Sequence, residues 1–167
     1  SSFYASSDTL IAFPAADQVV GEVASGLAVT RFQDNAGAFQ TFVSSFTLAE
    51  GIHLLGYQSQ DRVENLEVLR SSTVLVDSTP PISTRTIGLP LFTAADQTSY
   101  LTSATTVALA AVDPTVQGVA SGVGLIEAGL AGGAFAVYLT NLTFTQGRHI
   151  LVYRAADKVG NTESAQS

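Results

Sequence analysis

The chain has 167 residues, a formal net charge of −7 and a sequence pI near 4.5. Charged residues make up only 13% of it, about half of the usual share of ~25%. Because phosphate binding requires clustered lysine and arginine, this charge argues against nucleic acid and against anionic membrane surfaces as partners. The absence of cysteine excludes disulfides, thiol catalysis and thiolate metal sites. No apolar run approaches the ~20 residues of a bilayer-spanning helix, so no membrane insertion is expected.

An internal repeat organises the chain. Shifting the sequence by 96 positions aligns residues 1–71 with residues 97–167 without a gap, and 24 of the 71 pairs are identical. Among the matches are Val23-Ala24-Ser25-Gly26 with Val119-Ala120-Ser121-Gly122, and His53 with His149. A unit of about 96 residues is too long for a solenoid repeat and fits an autonomous sandwich domain.

Short alternating stretches predict strands along the first copy. Residues 9–16 form such a stretch before Asp17, although Pro14 inside it indicates an edge position or a bulge. Residues 39–43 are an apolar run of strand length. A strand over residues 53–59 follows the glycine turn at Gly51.

The part of the chain that occurs only once, residues 72–96, carries a strand-like end over 72–77, a linker and a second strand-like run over 82–92. In the linker, Pro80 and Pro81 fix φ twice and remove two N–H donors, which predicts a semi-rigid connection. Further strands are expected over residues 105–112, 135–139 and 149–155, with a strand and turns over 119–130. The chain is therefore predicted to be all-β, with two tandem β-sandwich domains over residues 1–78 and 79–167.

The repeat is out of frame with the ends of the sequence. The first domain is expected to lack its opening strand, and the second domain its closing strand. Two explanations stay open: the chain is a window on a longer tandem array, which we favour, or neighbouring subunits supply the missing strands.

The segment Gly147-Arg148-His149-Ile150-Leu151-Val152-Tyr153-Arg154-Ala155-Ala156-Asp157-Lys158-Val159-Gly160-Asn161 resembles the signature of bacterial immunoglobulin-like repeats. In that signature a glycine turn leads into an H-x-x-x-Y-R-A-x-D-x-x-G-N strand and hairpin. The resemblance covers both copies and implies two immunoglobulin-like domains from a large exported surface protein. The first copy departs from it at Glu64, which stands in the place of Gly160, so a different hairpin turn is expected there.

Asp and Asn bracket the last hairpin of each copy. Such side chains hydrogen-bond nearby backbone amides and tolerate left-handed geometry, and glycine supplies a positive φ. We therefore expect a structural turn role for Asp61, Asn65, Asp157, Gly160 and Asn161. The alternative is calcium, which takes six to eight oxygen ligands and needs the loops at one end of a sandwich to converge. The candidate calcium ligands, which do not form a D-x-D-x-D-G run, are Asp77, Asp113 and Asp157.

No catalytic or cofactor-binding residue is nominated, and the chain is not expected to be an enzyme. His53 and His149 occupy the same repeat position, which predicts a packing and hydrogen-bonding role near the glycine turn. Four of the five tyrosines also fall at repeat-equivalent positions, which predicts core residues rather than a sugar-binding platform: Tyr4, Tyr57, Tyr100 and Tyr153.

The sequence favours a structural repeat module of an extracellular bacterial surface protein, in a stalk, filament or sheath. Its expected partners are neighbouring copies of the same repeat or subunit. The alternative function is an adhesin or a carbohydrate-binding accessory module, with surface glycans or proteins as partners. This alternative predicts an exposed aromatic patch on one domain that is absent from the other.

Overall fold

The computed structural model describes residues 2–167, and all regular secondary structure among them is β, which confirms the all-β prediction. The described residues contain no helix capable of crossing a membrane. The chain divides into two compact units. The first comprises the residues up to Ser78 together with Val116–Val119, and the second comprises Thr79–Thr115 with Ala120–Ser167.

The first unit contains one five-stranded sheet. Its strands are β1 (Ser2–Ala5), β2 (Leu27–Asp34), β3 (Gln40–Thr41), β4 (Gly51–Asp61) and β5 (Arg70–Val76). They lie in the order β1-β5-β4-β2-β3, with β1 parallel to β5 and all other neighbours antiparallel. The sheet therefore places β5 in its interior, between β1 and β4.

The core of the first unit packs on one face of this sheet. Strand β5 contributes Val74 and Val76, which are 0% and 1% exposed, and β4 contributes Leu55. Phe13 covers them from a segment outside the sheet, and four aromatic rings surround it. Burial of these apolar side chains supplies the main stabilisation of the unit.

The predicted strand over residues 9–16 is wrong. Among the described residues, this segment forms only the single bridge between Ile11 and Phe46. In the equivalent segment of the second copy, Val107–Val112 does form a strand, because residues 82–87 pair with it. A strand is stable only where a neighbour satisfies its backbone donors and acceptors, and Pro14 removes one donor from residues 9–16.

The second unit contains seven strands. They are β6 (Ile82–Ile87), β7 (Leu91–Thr93), β8 (Ser99–Leu101), β9 (Val107–Val112), β10 (Val123–Leu130), β11 (Ala136–Val137) and β12 (Leu151–Asp157). They form the sheet β11-β10-β12, the pair β6-β9 and the hairpin β7-β8. The single run expected over residues 82–92 is thus two strands, separated by a cis peptide bond between Leu89 and Pro90.

Two layers enclose the core of the second unit. Strand β9 contacts β10, and β6 contacts β12. Leu109, Ala128 and Tyr153 meet between the layers, and the half-buried Leu142 and Leu151 pack against them. An all-β unit with one sheet packed on another is consistent with the β-sandwich class.

Candidate functional site

The turn that ends β4 is organised by the carboxylate of Asp61. Its Oδ1 accepts hydrogen bonds from the backbone N–H groups of Val63 (3.0 Å) and Asn65 (2.8 Å). Its Oδ2 accepts one from the Asn65 side-chain amide at 2.7 Å. Desolvation, the largest single influence, raises the pKa of Asp61, but the hydrogen bonds from Asn65 and its other donors outweigh it and hold that pKa below its usual value.

The turn after β12 has the same design with one more bond. Asp157 Oδ1 accepts from the N–H groups of Val159, Gly160 and Asn161 at 2.9, 2.7 and 2.9 Å. Its Oδ2 accepts from the Asn161 amide at 2.6 Å. Asp157 is only 5% exposed. Because a buried carboxylate is costly without donors, these bonds make Asp157 the structural centre of the turn.

The two turns share their backbone conformation in spite of one difference in sequence. Glu64 has a φ of 71° where Gly160 has a φ of 97°. The expectation of a different hairpin turn at Glu64 is therefore not met. A glutamate in this left-handed region is strained, and the hydrogen bonds to Asp61 hold it there.

A second carboxylate in each unit holds the loop that leads into the long inner strand. In the first unit, Gly26 N–H donates to Asp17 Oδ2 at 2.8 Å, and in the second unit Gly122 N–H donates to Asp113 Oδ2 at 2.6 Å. Both glycines have a positive φ, 88° and 87° respectively. This is the conformation that only glycine adopts without strain, which explains the residue type at both positions.

Two of the three calcium candidates come together in the second unit. One carboxylate oxygen of Asp113 lies within 4.8 Å of one of Asp157. Asp77, the third candidate, lies in the first unit, where it is 0% exposed and its backbone N–H donates to the Ala5 carbonyl at 2.9 Å. Calcium takes six to eight oxygen ligands, and the calcium site stays a prediction.

Glu163 connects three segments of the second unit. Its carboxylate accepts hydrogen bonds from the backbone N–H groups of Ser83 (3.1 Å) and Ala155 (2.8 Å) and from the Gln166 side chain (2.9 Å). Desolvation raises the pKa of Glu163, but these hydrogen bonds, led by those from Ser83, hold it below its usual value. The sequence analysis did not single out Glu163 as a site residue. The only signal that could have indicated it is the glutamate at the equivalent position of the first copy, Glu67.

The two histidines differ in their surroundings. The Nε2 of His53 lies 2.9 Å from the Ala49 carbonyl, and its Nδ1 lies 2.7 Å from Asp34 Oδ2. His149 keeps the first kind of contact, with its Nε2 2.9 Å from the Thr145 carbonyl. In both contacts the imidazole Nε2–H donates to the carbonyl oxygen. Each hydrogen bond fixes the histidine ring to the residue four positions earlier, beside the glycine turn.

The prediction that the repeat-equivalent tyrosines are core residues is wrong for two of the four. Tyr4 and Tyr100 are 49% and 59% exposed, whereas Tyr153 is buried and Tyr57 is half-buried. Strands β1 and β8, which carry the exposed pair, present these rings away from the core. The Tyr100 ring lies 6.0 Å from the exposed ring of Phe92 on the neighbouring strand β7.

The predicted linker residues belong to the second unit. Pro80 is half-buried, and Pro81 is among the fully buried residues, with less than 2% of its surface exposed. Strand β6 begins immediately after Pro81, at Ile82. A proline at this position is compatible with the sheet because the first residue of a strand need not donate to the ladder.

The described residues of each unit line a groove. In the first unit, a groove of about 510 Å³ runs past Phe13, Asp17 and Asp61. In the second unit, a groove of about 1150 Å³ lies between β8 and the segment that leads into β12.

Comparison of the sequence with protein-family models and with curated proteins gives no match.

Proposed function

We propose that the chain is a structural repeat module of an extracellular bacterial surface protein, a part of a stalk, filament or sheath. In this proposal the two units are tandem immunoglobulin-like domains built on a 96-residue repeat. Each domain buries its own core, and repetition of the domains provides length.

The observation that carries the proposal is the agreement of local structure at a spacing of 96 residues. Strands β2 and β10 have bounds that differ by 96, and so do β3 and β11. The isolated bridges agree in the same way: Ile11 pairs with Phe46 as Val107 pairs with Leu142. Two copies that share these strands, this bridge and the aspartate-centred turns support selection for a repeated scaffold.

The composition of the chain suits a scaffold whose copies stay free of non-specific contacts. The chain combines a net charge of −7 with a single lysine and many serine and threonine side chains. Net negative charge keeps neighbouring copies from non-specific association, and it disfavours nucleic acid as a partner.

Immunogold labelling of intact cells of the source organism, with antibodies raised against this chain, tests the proposal. We expect label along surface threads or a sheath, and a polypeptide that is much larger than 17.3 kDa in denaturing gels of the surface fraction. Permeabilised cells are the control for access of the antibody. Label confined to permeabilised cells would contradict the proposal.

A second candidate function, a carbohydrate-binding or adhesive module, is favoured by the exposed ring pair on the β7-β8 hairpin. Phe92 and Tyr100 are 65% and 59% exposed and lie opposite each other in register. Exposed aromatic rings of this kind stack on sugar rings.

The matched control for this candidate is Tyr4, which occupies the repeat-equivalent position of Tyr100. If the hairpin binds glycans, Tyr100→Ala abolishes retention on a glycan array and Tyr4→Ala leaves it unchanged. Equal effects of the two variants, or no retention of the unaltered protein, would exclude the candidate.

A further inference from the structure

His53 contacts an oxygen atom at each of its two ring nitrogens. Its Nδ1 lies 2.7 Å from Oδ2 of Asp34, and its Nε2 lies 2.9 Å from the carbonyl oxygen of Ala49. Because a carbonyl oxygen can only accept, the Nε2 must carry a hydrogen. A neutral imidazole has no second N–H, so its Nδ1 would turn a lone pair towards an ionised carboxylate. Both contacts therefore form together only when the ring and the carboxylate share one additional proton.

The contact between His53 and Asp34 is sheltered from water. The two side chains are 13% and 33% exposed, respectively. Asp34 Oδ1 is buried and has no hydrogen-bond partner among the described residues. A carboxylate in this position depends on its remaining contact to compensate its charge, because burial removes the water that would otherwise do so. The proton shared with His53 supplies that compensation.

This contact joins three segments at one end of the five-stranded sheet. Asp34 is the last residue of β2, His53 lies near the start of β4, and Ala49 precedes β4. The adjacent Asn35 binds the same part of β4. Its Oδ1 accepts a hydrogen bond from the N–H of Leu54 at 2.9 Å, and its own N–H donates to the Leu54 carbonyl at 3.0 Å. The end of β2 is thus fastened to β4 by side chains as well as by the backbone.

The elements packed around His53 bring either negative charge or apolar side chains. On the side of β4 away from β2, Val74 of β5 is opposite His53, and Phe3 of β1 is opposite Val74. The loop before β4 contains Glu50, three positions before the histidine, and β2 contributes Asp34. Nearby negative charges favour the charged form of an imidazole, so these groups act in the same direction.

The second unit keeps the histidine without its carboxylate. His149 makes the equivalent contact through Nε2, to the carbonyl of Thr145 at 2.9 Å. The residue at the repeat-equivalent position of Asp34 is Leu130, which offers no acceptor to the Nδ1. A neutral ring with its hydrogen on Nε2 is sufficient for the contact of His149. The chain therefore contains its own matched comparison for the additional proton.

We propose that His53 and Asp34 form a proton-dependent latch that fastens the end of β2 to β4 in the first unit. When the shared proton leaves, either neutral tautomer of the ring turns a lone pair towards an oxygen atom, and one of the two contacts opens. The closed latch binds one proton more than the open latch. Low pH therefore favours the closed form, and rising pH opens it within the range of about pH 5–8 in which histidine titrates. This inference does not depend on the proposed scaffold role, and its failure would leave that role untouched.

The hydrogens on the two histidine rings test the proposal directly. In nuclear magnetic resonance spectra of the full chain, the nitrogen chemical shifts of an imidazole distinguish a doubly protonated ring from each neutral tautomer. We expect His53 to keep both hydrogens to a higher pH than His149, and His149 to become the neutral ring with its hydrogen on Nε2. Loss of the proton from both histidines over the same pH range would overturn the proposal.

Exchanging the residues of the two copies separates the latch from general stability. Asp34→Leu gives the first unit the residue of the second, and we expect it to make His53 titrate in the same range as His149. Leu130→Asp does the reverse at a position that is 45% exposed, and we expect His149 to keep its second hydrogen to a higher pH. Because the second variant adds a contact, it tests the proposal even if the first variant does not fold. An unchanged His53 in folded Asp34→Leu, or an unchanged His149 in Leu130→Asp, would overturn the latch.

Amide hydrogen exchange measures whether the latch opens. The matched sites are the N–H groups of Asn35 and Ala131, which donate to the equivalent carbonyls of Leu54 and Ile150 at 3.0 and 2.9 Å. After correction for intrinsic exchange, protection of Asn35 is expected to fall as the pH rises, by up to about tenfold per pH unit, the limit for the release of one proton. Protection of Ala131 should stay constant. The same pH dependence at both amides, or constant protection at Asn35, would contradict the proposal.

Discussion

Replacing Phe13 by alanine is expected to destabilise the first unit by about 3 kcal/mol. Phe13 is 9% exposed, although it lies in no strand. Its ring centroid lies 4.8 Å from that of Tyr57, and 5.5 Å from each of those of Phe32 and Phe42. Phe46 is the fourth ring, at 6.1 Å. Removal of a buried phenylalanine costs about 3–5 kcal/mol.

The lower end of that range applies because the neighbours of Phe13 are only half-buried. Phe32, Phe42, Phe46 and Tyr57 all retain some exposure, so that they can relax and water can reach part of the space. For a unit of this size, 3 kcal/mol corresponds to a fall of roughly 12–24 °C in melting temperature.

Urea unfolding followed by circular dichroism measures this loss. The chain has no tryptophan, so the near-ultraviolet signal reports tyrosine, including Tyr57 stacked on Phe13. Phe39→Ala is the control in the same unit, because Phe39 is 41% exposed, and it should cost less than about 1 kcal/mol. Equal losses for the two variants would refute the assignment of Phe13 to the core.

The remaining predictions concern carboxylates. The pKa of Glu163 is lower in the folded chain than its usual value of 4.5. The ionised carboxylate therefore stabilises the fold fully above pH 4.5, and this stabilisation is lost as the pH falls through the pKa that Glu163 has in the folded chain. Glu163→Gln should therefore flatten the acid limb of the melting temperature against pH, whereas Glu22→Gln, at an exposed position, should not. Asp157→Ala should cost about 2–4 kcal/mol in urea unfolding, because it removes a buried carboxylate that accepts hydrogen bonds from three backbone N–H groups of the turn. Asp61→Ala should cost less, because Asp61 accepts fewer such bonds and is more exposed; the reverse order would contradict the hydrogen-bond argument. If the chain binds calcium, its melting temperature should be higher in calcium than in EDTA. This difference should disappear when asparagine replaces the three candidate ligands, Asp77, Asp113 and Asp157. An equal melting temperature of the unaltered protein in calcium and in EDTA would refute the calcium prediction.

The sequence predicted the strands β4 and β12 best. The alternation around residues 53–59 and 149–155 identified β4 and β12, because these strands are buried on one face and bounded by a glycine turn. The exposed tyrosines were predicted wrongly. Repeat-equivalent positions share a place in the fold, but that place can be a solvent-facing side of a short strand, as it is for Tyr4 and Tyr100.

Partner-dependent features could not be predicted from local pattern. Residues 9–16 and 105–112 have similar patterns, yet only the second segment becomes a strand, because β6 pairs with it. The role of Glu163 depends on Ser83, a residue 80 positions away in sequence. Long-range pairing of this kind is decided by tertiary structure and leaves no periodic signal in a single sequence.

Stretching single molecules of the chain between its two ends tests the proposed scaffold role most directly. If the chain is a mechanical module of two tandem domains, two separate unfolding peaks should appear. Each peak should add about 29–32 nm of contour length, the extent of an unfolded chain of roughly 80–90 residues at ~3.6 Å per residue. A chain that extends without force peaks, or that breaks in one event of about twice that length, would contradict the account.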